Sequence, residues 1–265
     1  MMGRGKPPAA KGLHPLESLI VSGCIRPSWK LLRRASGLAG TVLPGTDIAY
    51  TGHASTGLVF AVKPGYPARM HDIPVKVLRY LRIQPDTNAS REAAPLWEEA
   101  LSLAQARTWR MTLGISEFHD AFAPHAAQSA NLSRTLEGCD RVEIMAASIG
   151  EALESRGREY FSQGRPFAGF MLDRMGSYLV EAAMREMHAG VRAEHAGAGE
   201  RVTRRYSPGY GDFSLEAQAV FLRLIGDALP GLRLLPSLLF IPEKTVTAVC
   251  GIAPSASESA PTHSR

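Results

Sequence analysis

The hydrophobic pattern tightens at residue 72. Ile73 to Leu81 sets Val77, Leu78 and Leu81 on one side of a short predicted helix. Asp86 to Ser90 is polar and offers a cap. Arg91 to Ala106 then repeats Leu96, Trp97, Ala100, Leu101 and Ala104 at helical spacing, which predicts an amphipathic helix with Pro95 in its first turn. Thr108 to Ile115 alternates apolar and polar residues and predicts a strand. Glu117 to Phe122 fits neither period. Leu132 to Leu136 predicts a helix stopped by Gly138, and Arg141 to Gly150 an apolar strand reaching a Ser-Ile-Gly turn, with a helix from Glu151 to about Phe161. The longest helical repeat runs from Pro166 to about Val191, through Phe167, Phe170, Met171, Met175, Tyr178, Leu179, Ala182 and Ala183. Glu181 falls on or beside that apolar face, where a buried carboxylate needs a partner and an ordinary ion pair supplies one. Residues 192–203 form a polar loop, Ser214 is placed to cap a further helix, and Leu232 to Phe240 and Thr245 to Gly251 predict two strands.

Residues 1–69 lack any sustained period and hold ten Gly and seven Pro. A disordered leader, a targeting peptide, or an upstream extension before a true start at Met70 each fits. The first and last are preferred over targeting, because neither an apolar h-region nor a long amphipathic helix is present. Ile48 to Tyr50 and Gly57 to Val62 have strand composition, with nothing nearby to bury them. The expected organisation is therefore a leader at 1–69, one folded domain at 70–252 and a disordered tail at 253–265.

Composition narrows the class. With 45% apolar and 21% charged residues, most of the 265-residue chain should be globular. The net charge of +5 is carried by the leader, which has nine Lys/Arg against two acids, whereas the remainder has 21 against 23. A near-neutral body argues against nucleic acid as a partner. The three cysteines, Cys24, Cys139 and Cys250, form no CxxC pair, which supports neither zinc nor a disulfide framework and fits a reducing, cytoplasmic setting. No apolar run reaches the roughly 20 residues of a membrane span. His119 and His125 lack a Cys or acidic partner at metal-site spacing. The Ser-Ile-Gly turn matches neither GxGxxG nor a phosphate-loop lysine signature.

The densest run of special-purpose residues is Arg204 to Asp212, with two arginines ahead of a Pro208-Gly209 turn flanked by Tyr206 and Tyr210. An arginine fork holds a carboxylate, glycine admits a ligand close to the backbone, and tyrosine offers a face and a hydroxyl. The chemistry suits a ligand with a carboxylate and a flat ring. A plain β-turn carrying surface charge is the other reading.

Four segments together resemble one family. Arg205-Tyr-Ser-Pro-Gly-Tyr210 is similar to the Arg-x-x-x-Gly-Tyr motif of the reactivation domain of cobalamin-dependent methionine synthase, which binds S-adenosylmethionine. Leu239 to Ala248 resembles that domain's closing Met-x-Pro and Ser-Val-Ser stretch, Cys139 to Gly150 the strand and turn of stand-alone relatives, and Leu179 to Ala183 the helix that supplies a ligand carboxylate. The resemblance covers about residues 70–252. It implies an α+β fold, a single C-shaped domain whose central twisted antiparallel sheet is flanked by helices, with a shallow groove for extended S-adenosylmethionine. Arg205 would hold the methionine carboxylate, Ser207 to Gly209 would offer backbone groups, Tyr210 would line the groove and Glu181 would face the ligand's cationic end. No catalytic residue and no metal are implied. Cobalamin would be carried by a partner, a corrinoid protein or methionine synthase modules, with an electron donor as a further partner. A docking subunit that no longer binds S-adenosylmethionine, and an unrelated small-molecule enzyme using the same turn, are the competing functions. Leu235-Pro236-Ser237 departs from the family's Thr-Glu-Ser and removes a carboxylate.

Overall fold

Among the described residues, six strands form one sheet, every neighbouring pair antiparallel, in the order β1 (Ile48–Ala54), β2 (Gly57–Val62), β3 (Arg107–Gly114), β4 (Arg141–Ser148), β8 (Thr245–Ala253) and β5 (Arg201–Val202). The computed structural model describes residues 73–255 in full and the backbone of 48–54 and 57–62. The chain divides into two units, Met1–Val42 and Leu43–Arg265, and the first lies outside the described residues. In chain order the elements are β1 (Ile48–Ala54), β2 (Gly57–Val62), α1 (Val75–Leu81), α2 (Asn88–Leu103), β3 (Arg107–Gly114), α3 (Ile115–Ala121), α4 (Ala130–Thr135), β4 (Arg141–Ser148), α5 (Ala152–Ser162), α6 (Pro166–Ala196), β5 (Arg201–Val202), α7 (Gln218–Ile225), β6 (Arg233–Leu234), β7 (Phe240–Ile241) and β8 (Thr245–Ala253). The mixed α+β class expected from the sequence is the one observed.

Period-two alternation builds two cores from one sheet. On β4, Val142, Ile144 and Ala146 face one way and Met145 and Ala147 the other; on β8, Val249 opposes Ala248 and Cys250. One face packs against α1, α2, α5 and α6 through residues such as Leu96, Trp97, Leu153, Leu172, Met175 and Leu179. The other packs against Phe118, Phe122, Leu132, Phe213, Phe221 and Ile225, from α3, α4, α7 and the loops between them. Burial on both faces explains why β4 reads as an almost unbroken apolar run rather than an alternating one. Each fully buried large side chain contributes roughly 1.5–3 kcal/mol of transfer free energy.

Several boundaries differ from expectation for identifiable reasons. Helix α2 starts at Asn88, because Thr87 and Ser90 form a reciprocal capping box. Pro95 therefore lies inside the helix rather than in its first turn. Glu117 to Phe122 resolves into α3, begun by Glu117 accepting from the Gly114 N–H at 2.8 Å. The stretch Leu232 to Phe240, expected as one strand, is a hairpin of two two-residue strands, β6 and β7, turning at Leu238 with φ +63°. Helix α6 runs past Val191 to Ala196, and the loop expected at 192–203 contains β5. Phe170, expected on the apolar face of α6, is 52% exposed. The α5–α6 contact is close: a Cβ on Gly169 would lie 2.8 Å from the Phe161 ring and 3.0 Å from the Gly157 carbonyl.

Strands β1 and β2 lie in the segment read as a leader. They form a hairpin whose second strand pairs with β3, Leu58 opposite Arg110 and Ala61 opposite Arg107. The sheet thus begins before residue 70. The rest of the expected leader, and the tail from residue 256, lie outside the described residues.

Candidate functional site

The Arg204–Asp212 run takes its place from the edge of β8. Arg201 and Val202 pair with Ala253 and Ile252, Thr203 donates its N–H to the Gly251 carbonyl at 2.9 Å, and Tyr206 exchanges both backbone hydrogen bonds with Val249. The segment thus follows β8 from 201 to 206, with the register slipping by one residue between Val202–Ile252 and Tyr206–Val249, so that Val202 and Tyr206 reach opposite faces of the sheet. Tyr206 packs on the α7 side, stacked against Phe213 at 6.1 Å between ring centroids. Arg205 emerges toward α6, where its Nη2 donates to Glu181 Oε2 at 2.6 Å.

This pair unites two residues that the sequence reading singled out separately. Both are half-buried, with side-chain exposures of 26% for Arg205 and 33% for Glu181. The second guanidinium nitrogen, Arg205 Nη1, is buried and meets no acceptor. Leaving a buried donor unsatisfied costs about 1–3 kcal/mol, more when it is charged. A carboxylate brought to Nη1 would remove that cost, which makes the guanidinium chemically competent to hold a ligand acid without surrendering Glu181.

Sequence reasoning missed what surrounds the pair. His188 lies two turns beyond Glu181 on α6, and its Nε2 is 2.9 Å from the Thr203 carbonyl. Facing a carbonyl, Nε2 must carry the proton. Burial first, and then Arg192 and Arg205, depress the His188 pKa, against the Thr203 hydrogen bond that raises it. The spacing Glu181, Arg185, His188, Arg192 puts all four on one stripe of the helix, a signal legible beforehand. A depressed folded-state pKa gives a contribution that is full above the unfolded value near 6.5 and lost as pH falls through the folded value. Stability therefore declines on acidification from pH 7 toward 5, and His188→Gln, which keeps a donor but does not titrate, flattens that decline in denaturant melts taken at each pH.

The turn itself is closed by its own backbone. Gly209 N–H donates to the Phe213 carbonyl at 2.8 Å, and Tyr210 N–H to the Ser207 carbonyl at 3.2 Å. Backbone groups expected to meet a ligand at Ser207 and Gly209 are thus partly spent on holding the turn. Tyr210 is 67% exposed and projects beside it. Asp212 anchors the far end: its carboxylate accepts from Ser129 Oγ at 2.5 Å and from Asn131 N–H at 3.1 Å, at the start of α4. Those bonds, led by the one from Ser129, hold its pKa below the usual carboxylate range.

Gly211 has φ +55°, and a Cβ there would run into the Tyr206 hydroxyl and lie 3.0 Å from Asn131 Nδ2. Gly211→Ala should lower stability by more than about 1 kcal/mol, since alanine where φ is positive costs more than its entropic gain. Urea unfolding of the two proteins checks this; an unchanged midpoint would mean that the turn has room to relax.

A hollow of about 380 Å³ is lined by Gln105, Arg107, Ser148, Gly150, Glu151, Leu229 to Leu232 and Pro242. It includes none of Glu181, Arg205, Ser207, Gly209 or Tyr210. His125 lies 3.9 Å from Glu216, and no cluster of three or more His, Cys, Asp or Glu among the described residues is placed to hold a metal ion. No helix among the described residues is long and apolar enough to cross a membrane.

No protein-family model matches the chain, and no curated protein matches it. Solved structures do match it. The chain is similar to the MetH reactivation domain. The match is to the crystal structure of that domain bound to AdoHcy, at 13% sequence identity and a TM-score of 0.49, covering 89% of this chain and 86% of the other.

Proposed function

We propose that the protein binds S-adenosylmethionine at the edge of β8 and acts as a reactivation-type protein, supporting reductive remethylation of cobalamin held by a corrinoid methyltransferase. The observation that carries the ligand is the Arg205 guanidinium. One nitrogen is fixed by Glu181 at 2.6 Å, and the other is buried without an acceptor. S-Adenosylmethionine brings a carboxylate to the second nitrogen and a cationic end to the acid beside it. Tyr210, five residues after Arg205 on the same turn, supplies an exposed ring for the flat purine. The corrinoid context rests on the motif resemblance: a partner, a corrinoid protein or methionine synthase modules, carries cobalamin, and an electron donor completes the cycle. The hard chemistry belongs to the cofactor, and this chain contributes position.

A second reading has its own support. The Gly209 and Tyr210 N–H groups are already bonded within the turn, and Leu235-Pro236-Ser237 lacks the family carboxylate. Both features suit a docking subunit that has lost the ligand. Calorimetric titration of the folded protein with S-adenosylmethionine separates the two. Saturable heat is expected; none at about 1 mM ligand, a concentration matched to a binding free energy of only about −4 kcal/mol, leaves the docking role or an unrelated enzyme.

A further inference from the structure

The hollow at the opposite end of β8 from β5 has a chemistry of its own. Arg107 and Ser148 are register partners across β3 and β4, and Ser148 and Thr245 across β4 and β8. This row ends the sheet on the face shared by Trp109 and Ala146. Ser148 Oγ accepts from Thr245 Oγ1 at 3.0 Å. Gly150, at φ +78°, turns the chain into α5 and sets Glu151 on the rim. Leu229, Pro230, Leu232 and Pro242 make the opposite, apolar wall.

We infer that this hollow is a second small-molecule site, independent of the Arg205 turn, which takes a free α-amino acid with an apolar side chain. Arg107 and Glu151 bring opposite charges to one cavity, and among the described residues neither side chain forms an ion pair. A guanidinium forks onto a carboxylate, and a carboxylate takes an ammonium group. A zwitterion meets both at once, whereas an inorganic anion gains one charge and is repelled by the other. Gln105 adds an amide that serves either end. The leucine and proline wall then selects an apolar side chain, and the described lining includes no aromatic ring on which a base would stack. A volume of about 380 Å³ lies at the small end of ligand pockets, about 300–1,000 Å³.

The full chain should be titrated with free L-leucine, L-methionine and L-phenylalanine, each to about 10 mM, with chemical shifts and melting temperature as readouts. At least one amino acid binds, and blocking either charge, as N-acetyl-leucine or leucinamide, weakens binding about tenfold or more. Arg107→Gln and Glu151→Gln reproduce that loss without lowering the ligand-free melting temperature, and Arg107→Lys recovers part of it. Arg205→Ala leaves amino-acid binding intact, so failure here and failure of S-adenosylmethionine binding are separable. The proposal is overturned if none of the three amino acids binds, if N-acetyl-leucine binds as well as leucine, or if inorganic phosphate alone binds in an Arg107-dependent way.

Discussion

Phe122→Ala destabilises the folded chain by about 3–5 kcal/mol, the usual cost of emptying a buried phenylalanine site, and lowers the melting temperature by roughly 10 °C. Phe122 is fully buried at the C-terminal end of α3. Its ring stacks on Phe118 at 4.7 Å, meets Phe221 edge-on at 5.2 Å and approaches Phe213 at 6.5 Å. No single neighbour can close the space, because each comes from a different element: α3, α7 and the loop after Asp212. The loss also reaches the turn, since Phe213 stacks on Tyr206 and its carbonyl holds the Gly209 N–H. Val75, 60% exposed, is the contrast: Val75→Ala should stay within about 0.5 kcal/mol. Equal melting temperatures for Phe122→Ala and the parent would refute the aromatic cluster as the support of the turn.

Much of the two-sided core was legible because periodicity reports burial. The long repeat of α6, the apolar run of β4 and the alternation of β8 each announced themselves. Boundaries failed where a local interaction outweighed pattern: the Thr87–Ser90 box moved the start of α2 back to Asn88 and left Pro95 inside the helix, and Leu238 broke one expected strand into a hairpin. Strands β1 and β2 were underestimated because the hairpin they form joins the sheet only through β2, whose partner β3 lies more than forty residues on in sequence. No local pattern carries that information. At the site, the motif resemblance singled out Arg205 and Glu181 as separate ligand contacts, and the ion pair between them is what the structure adds. His188 was not anticipated, although its helical spacing from Glu181 was visible, because a lone histidine on a helix gives no sign of the carbonyl it will meet. The closure of the turn by Gly209 and Tyr210 N–H groups was equally invisible, since it depends on where Phe213 returns.

Arg205→Ala should weaken the proposed S-adenosylmethionine binding by about 1.5–3 kcal/mol, roughly a ten- to hundredfold rise in Kd, because a hydrogen bond to a charged partner is what it removes. The substitution also strands Glu181, so affinity alone does not separate contact from collapse. Arg205→Lys keeps the charge yet loses the fork, and should recover only part of the affinity. Glu181→Gln keeps the size and leaves Arg205 with a neutral acceptor. If Glu181 faces the ligand's cationic end as well as holding Nη2, the double variant loses less than the sum of the two single losses, a coupling that contacting residues show and distant ones do not. Calorimetric Kd values for the parent, the two single variants and the double variant decide the matter, with melting curves to confirm that each is folded. Strict additivity would mean that the pair does not act as one unit toward the ligand. Unchanged affinity in Arg205→Ala would remove the guanidinium from the site altogether and leave the pair a structural clamp between α6 and the edge of β8.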